Sequence, residues 1–115
     1  FLAATSVGNY ALFGGGSNQT TVDAYDASLT RTTATPLSAG RSYLAATTVG
    51  DYALFGGGMR SDYSSTVDAY NTSLTRTIPT PLSVARYYLA ATSVGNYALF
   101  GGGSGKNTVD AYTVA

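Results

Sequence analysis

Residues 2–16 read LAATSVGNYALFGGG, and the same stretch returns without change at residues 89–103. Residues 44–58 repeat it once more, with only two substitutions. Self-similarity at a period of about forty residues is the sequence signature of stacked or radial repeat architectures. The chain is therefore expected to be an array of one repeated unit.

The length of the repeat changes at one place in the unit. The phenylalanine that ends YALF recurs after 42 and then 45 residues, whereas the tyrosine that ends TVDAY recurs after 45 and then 42. The difference falls in the connectors between GGG and TVDAY, at residues 17–20, 59–65 and 104–107. Loops on a rigid scaffold often carry recognition. Drift in a tolerant surface loop would produce the same pattern, because insertions there cost little closure entropy.

Each unit reads as four short strands. LAATSV and YALF are separated by Gly-Asn or Gly-Asp, a pair typical of two-residue hairpins. YALF is apolar on both of its faces, which predicts burial on both sides, and TVDAY alternates as a third strand should. The threonine-rich stretches at 30–38 and 75–83 contain prolines, so a fourth strand there is expected to lie at the sheet edge or to end at the proline. No segment has a helical period, which predicts an all-β fold.

The unit resembles the kelch repeat, in which four hydrophobic residues precede a double glycine and a tyrosine follows on the third strand. Residues 10–15 read YALFGG and are followed by Tyr25, and the match recurs twice along the chain. Arg41 and Arg86 stand where the family often has an arginine before the first strand. The family's tryptophan on the fourth strand is absent, which indicates a divergent, bacterial or phage-like version. The positions expected to build the units are Gly14, Gly15, Gly56, Gly57, Gly101, Gly102, Tyr25, Tyr70, Tyr112, Asp23, Asp68 and Asp110.

The kelch resemblance implies a β-propeller made of four-stranded antiparallel blades. The units would be residues 1–40, 41–85 and 86–115, the last without its outer strand. Propellers generally have at least four blades. Three blades are therefore expected to be completed by self-association, most simply as a head-to-tail homodimer with six blades. The alternative is a piece cut from a longer array, which the absence of Met before Phe1 favours, and both can hold at once.

Composition narrows the class of protein. Six basic and six acidic residues cancel, so nothing indicates a nucleic acid or an anionic membrane as partner. Only 10% of the residues are charged, while Ser, Thr, Asn, Gly and Tyr are abundant, a profile typical of extracellular, cell-surface or virion modules. The chain has no cysteine and hence no disulfide framework, and it has no apolar run long enough to span a membrane.

An enzymatic function is not expected. The chain lacks His, Cys and Glu, which removes the usual general bases, soft metal ligands and paired carboxylates. No cofactor or metal is expected either, because no calcium-loop pattern is present. Asp23, Asp68 and Asp110 recur once per unit and could form a ring of carboxylates, but bonding to backbone or arginine is the favoured interpretation. Arg41 and Arg86 could equally join blades or line a face of the ring.

The predicted function is a non-enzymatic module that binds a protein through its inter-strand loops. In the kelch family the loop between the second and third strands lies on the same face as the loop between blades. The resemblance therefore implies that the connectors share one surface with residues 38–43 and 83–88. One alternative is a self-assembling structural fragment, excised or engineered, with no ligand of its own; a weaker one is a carbohydrate-binding surface module. The residues expected to contact a ligand are Met59, Arg60, Asp62, Tyr63, Asn18, Lys106, Arg41 and Arg86.

Overall fold

The computed structural model describes residues 1–113, which form three antiparallel sheets and no helix. The first sheet contains β1 (Ala3–Val7), β2 (Tyr10–Gly14), β3 (Val22–Tyr25) and β4 (Arg31–Thr33). The second contains β5 (Ala45–Val49), β6 (Tyr52–Gly56), β7 (Val67–Tyr70) and β8 (Arg76–Thr77). The third contains β9 (Ala90–Val94), β10 (Tyr97–Gly101) and β11 (Val109–Thr113). Residues 1–113 include no segment that could cross a membrane as a helix.

Strand order follows chain order in every sheet, and the register is the same in all three. Phe13 pairs with Ala4 in the first sheet, and the corresponding phenylalanines of the other two sheets pair in the same way. Each first hairpin turns through a glycine with a φ of 54° or 55°. Glycine adopts this positive φ without steric cost, as the first position of a type II′ turn requires. The predicted two-residue hairpins are confirmed.

The fourth strands are short and lie at the outer edge of their sheets. β4 ends before Pro36 and β8 ends before Pro79, and each pairs only with the third strand of its own sheet. Proline has no N–H to donate to a ladder, so the pairing cannot continue through it. This confirms the edge position expected from the sequence.

The sheets pack face against face, with their first strands adjacent to one another. β5 lies between β1 and β9, and apolar side chains from facing sheets fill the two spaces between them. Leu12 and Val22 of the first sheet pack with Phe55 of the second in one cluster. Leu54 of the second sheet packs with Phe100 of the third in the other cluster. The core is thus divided into two layers, each shared by neighbouring sheets.

The prediction that YALF is buried on both sides holds only in the second sheet. There, residues 53–56 are all buried, because a sheet lies on either side. In the first sheet Ala11 and Phe13 are exposed, and in the third Leu99 is only half-buried. The first and third sheets lie at the ends of the array, so each has a neighbouring sheet on one face only.

Candidate binding surface

The connectors meet the linker segments 38–43 and 83–88 at one end of the sheets. The N–H of Asn18 donates to Ser42 Oγ at 2.9 Å. Ser42 and Met59 exchange two backbone N–H···O bonds, both 2.9 Å long. The N–H of Tyr87 donates to Ser104 Oγ at 3.1 Å. Each of the three connectors therefore contacts a linker segment. The first contacts the segment that leads to the second sheet, and the other two contact the segment that leads to their own sheet.

The glycine triplets make this meeting possible. Gly58 has a φ of 98°, and its N–H donates to the carbonyl of Arg86 at 2.7 Å. A Cβ at Gly58 would lie 2.7 Å from the carbonyl oxygen of Ser42. Only glycine allows both the positive φ and this close backbone approach. The triplet thus directs the connector onto the linker segment.

Five aromatic rings form a continuous cluster on this surface, here called the aromatic platform. The ring of Tyr43 lies 4.1 Å from that of Phe1 and 4.2 Å from that of Tyr88. Tyr87 extends the cluster, with its ring 4.8 Å from both Tyr88 and Tyr63. Phe1, Tyr63 and Tyr88 are exposed. The platform therefore presents a broad aromatic surface to solvent.

The centre of the platform is built by the repeat itself. Phe1, Tyr43 and Tyr88 each stand immediately before a copy of the LAATSV or LAATTV strand. The N–H of Tyr43 donates to the Phe1 carbonyl and that of Tyr88 to the Tyr43 carbonyl, both at 3.0 Å. Tyr43 and Tyr88 have φ values of 59° and 57°. Such values are uncommon for bulky residues, and they cluster at functional positions.

The platform encloses a small apolar recess. Phe1, Tyr43 and Tyr88 line a shallow cavity of about 210 Å³ together with the leucines that follow them. Pockets for whole small molecules usually measure about 300–1,000 Å³. This recess therefore suits one protruding side chain or one sugar ring better than a complete cofactor.

The phenols of Tyr87 and Tyr88 are neutral groups on the platform. Hydrogen bonding with Tyr63, and then its charge, raises the pKa of Tyr87, and hydrogen bonding with Tyr43 raises the pKa of Tyr88. A phenol already has a pKa near 10, so both groups keep their protons at neutral pH. The platform can thus both donate and accept hydrogen bonds at its rim.

The longest connector places its predicted contact residues around the platform. Met59 is half-buried, and its backbone bridges Ser42 and Tyr63. Arg60 and Asp62 are exposed at the tip, where the Arg60 N–H donates to the Asp62 carbonyl at 3.1 Å. Asp62 Oδ1 accepts a bond of 2.8 Å from the Tyr63 N–H. These bonds hold the tip in one shape and present two opposite charges beside Tyr63.

The other two connectors carry one predicted contact residue each. Asn18 is exposed, with a φ of 58°, and its Oδ1 accepts a bond of 3.2 Å from Ser42 Oγ. Lys106 is exposed, and its N–H donates to the Gly103 carbonyl at 2.8 Å. Both side chains lie on connectors that reach the linker segments. Both are accessible at the same end of the sheets.

Arg41 and Arg86 lie inside the protein and not on its surface. Arg41 is 1% exposed, and its Nη2 lies 2.9 Å from Asp68 Oδ2 and 3.3 Å from the Phe55 carbonyl. Arg86 is fully buried, with Nη1 2.9 Å from Asp110 Oδ2 and Nη2 2.9 Å from a backbone carbonyl. This geometry favours a structural role over the ligand contact also expected of them.

Burial and hydrogen bonding shift the pKa of Arg41 and of Asp110. Burial lowers the pKa of Arg41 below its usual value, and the charge of Asp68 opposes that shift. Burial alone would raise the pKa of Asp110, but hydrogen bonds from Arg86 and Ser83 lower it below the usual range. Asp110 is therefore ionised at neutral pH.

The recurring aspartates do not come together as a ring. Asp68 and Asp110 each bind a buried arginine, whereas Asp23 lies 3.5 Å from the exposed Arg31. Within residues 1–113, no group of three carboxylates is placed to hold a metal ion. Bonding to arginine and backbone was the favoured interpretation of these aspartates, and Asp68 and Asp110 adopt it.

Four platform residues were not among the predicted contacts. They are Phe1, Tyr43, Tyr87 and Tyr88. A signal for three of them was present, because an aromatic residue precedes the first strand of every unit. Tyr87 has no counterpart in the other units, and only its packing against Tyr63 and Tyr88 identifies it.

No family model matches the chain, and no curated protein matches it. The kelch-like order of Phe13, Gly14, Gly15 and Tyr25 therefore stays a resemblance. The three repeated antiparallel sheets fit a propeller-like architecture.

Proposed function

We propose that the chain is a non-enzymatic binding module that contacts a protein partner through the aromatic platform and the connectors around it. The observation that carries this proposal is the continuous cluster of five aromatic rings, three of which are exposed. Tyrosine offers a large, rigid contact area at low entropic cost, and it is enriched where binding energy concentrates.

The scaffold behind the platform would be a segment of a kelch-type β-propeller, with each sheet as one blade. The identical register of the three sheets and the adjacency of their first strands support that architecture. Strands then form a rigid base, and the loops at one end are free to vary. The variation in length and sequence between the three connectors fits this division of roles.

Charges around the platform would add specificity. Arg60 and Asp62 are exposed at the tip beside Tyr63, with the neutral phenols of Tyr87 and Tyr88 behind them. Protein interfaces commonly combine an apolar centre with a polar rim. A partner that inserts an apolar side chain into the recess and offers opposite charges at its rim would match this arrangement.

The test is selection of binders from a displayed library of random linear peptides. We expect the selected peptides to lose affinity at least tenfold on Tyr63→Ala and Tyr88→Ala, the effect usual for a dominant interface residue. Tyr52→Ala is the matched control, because Tyr52 is an exposed tyrosine at the opposite end of the second sheet. Equal losses in all three variants, or no enriched peptide, would contradict the proposal.

A carbohydrate ligand is the second candidate, favoured by the size of the aromatic recess and its three aromatic walls. A glycan array separates the two ligand classes. Glycan binding that is lost in Tyr88→Ala and kept in Tyr52→Ala would assign the recess of the platform to a carbohydrate. A blank array would remove this candidate.

A further inference from the structure

The sheets inside the chain join in one recurring way. The face of each sheet that meets the next one is here called its back face, and the face that meets the preceding one is its front face. At the first joint the residues are Leu12, Gly14, Val22 and Ala24 on the back face, against Ala53, Phe55, Asp68 and Tyr70 on the front face; all eight are buried. At the second joint they are Leu54, Gly56, Val67 and Ala69, against Ala98, Phe100, Asp110 and Tyr112.

The centre of each joint is a phenylalanine ring that lies over a glycine. A Cβ at Gly14 would lie 3.0 Å from the ring of Phe55. A Cβ at Gly56 would lie 2.8 Å from the ring of Phe100. The absence of a side chain at these two positions lets the ring approach the backbone of the neighbouring sheet.

The packed faces of this joint are also present on the outside of the array, without the linker arginine that binds Asp68 or Asp110 at the internal joints. The front face of the first sheet carries Ala11, Phe13, Asp23 and Tyr25, and the back face of the third carries Leu99, Gly101, Val109 and Ala111. These residue types are the same as those at the internal joints. Within residues 1–113, no other sheet packs on either outer face.

Exposure shows how open the outer faces are. Phe13 is 42% exposed, whereas Phe55 and Phe100 are fully buried at the internal joints. Val109 is 62% exposed, whereas the equivalent Val22 is fully buried. A Cβ at Gly101 would meet only the side chain of Val109, at an ordinary distance of 3.4 Å. Both halves are therefore folded and unoccupied.

We propose that a second copy of this chain docks head to tail on these faces and that two copies close a ring. The Phe13 ring of each copy lies over Gly101 of the other, as Phe55 lies over Gly14 within the chain. A head-to-tail interface either closes by rotation or grows without limit. Two copies of the 115-residue sequence give six sheets, within the usual propeller range of about four to eight blades, whereas three copies give nine. The count of six rests on the proposed propeller architecture.

The joint between copies is weaker than the internal joints. The internal ones also carry a hydrogen bond of 2.7 Å from Tyr70 Oη to the Thr35 carbonyl and one of 2.7 Å from Tyr112 Oη to the Thr80 carbonyl. The carbonyls belong to segments that link consecutive sheets. The packed faces alone hold the copies together, so dimerisation depends on concentration in a measurable range.

Molar mass by light scattering over a concentration series tests the proposal. We expect a mass that rises to twice that of one chain and stops there. A monomer at all concentrations up to about 1 mM would overturn the proposal, since no useful affinity would remain. A ladder of larger species would overturn ring closure, because it would show an open array. These outcomes are independent of peptide binding at the platform.

Two substitutions identify the interface. Phe13→Asp and Gly101→Ala should each raise the dissociation constant of the dimer at least tenfold while the far-ultraviolet circular dichroism stays unchanged. Ile78→Asp is the control, because Ile78 is an exposed apolar side chain that belongs to neither outer face. Dimers that survive Phe13→Asp and Gly101→Ala would overturn the proposed contact.

Mixing the two variants tests the head-to-tail geometry. A mixed pair has one undamaged joint, formed by the Phe13 of one variant and the Gly101 of the other, and one joint that carries both substitutions. A joint already broken by one substitution loses nothing more from the second. At concentrations where each variant alone is monomeric, we therefore expect the mixture to form dimers through the undamaged joint. A mixture that stays monomeric at concentrations where the parent chain is dimeric would show that the faces do not meet head to tail.

Discussion

At the scale of single residues, the two buried arginines fix each linker segment to the sheet that follows it. Arg41 binds Asp68 and the carbonyls of Phe55 and Thr66, all within the second sheet or the connector before β7. The planar guanidinium suits this role, because it can donate to a carboxylate and to carbonyls at the same time. The arrangement recurs at Arg86 and Asp110, so the repeat preserves the pair along with the fold.

Removing the arginine of a buried pair should be costly. We expect Arg41→Met to lower the free energy of unfolding by about 3 kcal/mol, the lower end of the usual cost of breaking a buried pair. Buried Asp68 would lose its main partner and keep only Arg76 at 4.0 Å and the Ser38 N–H at 3.3 Å. The measurement is urea-induced unfolding of the variant Gly101→Ala, at a concentration below dimerisation, with and without the change.

Arg31→Met provides the control for that experiment. Arg31 is exposed and lies 3.5 Å from Asp23, and surface pairs of this kind contribute about 0–1 kcal/mol. The double variant Arg41→Met/Asp68→Leu should recover much of the loss, because no fully buried charge remains, and the partly exposed Arg76 keeps its bond of 2.7 Å to the Pro36 carbonyl. Similar losses for Arg41→Met and Arg31→Met would refute the structural role.

The tyrosine at each internal joint should make stability fall at alkaline pH. Burial, and then the charge of Asp110, raises the pKa of Tyr112 to about 12 in the folded protein. The unfolded phenol has a pKa near 10, so the stabilisation is complete below pH 10 and is lost as the pH rises from about 10 to 12. Tyr112→Phe should cost about 1 kcal/mol at pH 8 through the lost bond to the Thr80 carbonyl.

Urea midpoints at pH 9 and pH 11 measure this effect. The parent protein should lose more stability between the two values than Tyr112→Phe, because the variant has no phenol at this position to ionise. Equal losses would mean that Tyr112 is not desolvated at the joint.

At the scale of elements, the end of the second strand decides how closely two sheets approach. Gly14, Gly56 and Gly101 occupy the same position in β2, β6 and β10. The first two face a phenylalanine ring of the next sheet, whereas the third faces only Val109. One sequence position therefore has two different packing environments in the same molecule.

Alanine at these equivalent positions should have unequal effects. We expect Gly56→Ala to destabilise the fold by about 1–3 kcal/mol, the usual cost of overpacking, because its Cβ would lie 2.8 Å from the ring of Phe100. Gly101→Ala should cost well under 1 kcal/mol in the monomer, because its Cβ has room. Urea unfolding at a concentration below dimerisation provides the comparison. Equal costs would mean that the ring over glycine does not set the spacing of the sheets.

At the scale of the whole molecule, the two outer faces and the absence of net charge point to association driven by apolar contact. The chain has six basic and six acidic residues, so long-range repulsion between copies is small. Phe13 and Val109, which are exposed on the outer faces, are the side chains that the association would remove from water.

Thermal stability should then depend on protein concentration. The unfolding midpoint of the parent chain should rise with concentration, because dimerisation stabilises the folded state by mass action. The midpoint should change little between low and high NaCl, since screening weakens charge pairs and not apolar packing. Phe13→Asp should unfold at a midpoint that does not depend on concentration. A parent midpoint that is also independent of concentration would argue against the ring.

Much of the fold could be predicted from the sequence because its signals are local. The exact repeat sets three copies of one sheet, the Gly-Asn and Gly-Asp pairs set the first hairpins, and Pro36 and Pro79 mark the ends of the outer strands. The candidate site was predicted in part. The connectors were identified by their variation, but the aromatic platform depends on packing between residues as distant as Tyr63 and Tyr87, or Tyr43 and Tyr88.

By itself, then, the sequence determined the strands, the turns, the number of sheets and the place of the variable loops, since each follows from residues close together in the chain. Only the tertiary structure decided which faces are covered and which arginines are buried. Phe13 and Phe100 lie in identical stretches, at 2–16 and 89–103, yet the first is exposed and the second is buried. The physical reason is that a side chain is buried by the sheet that packs against it, and identical sequences at different positions in an array have different neighbours.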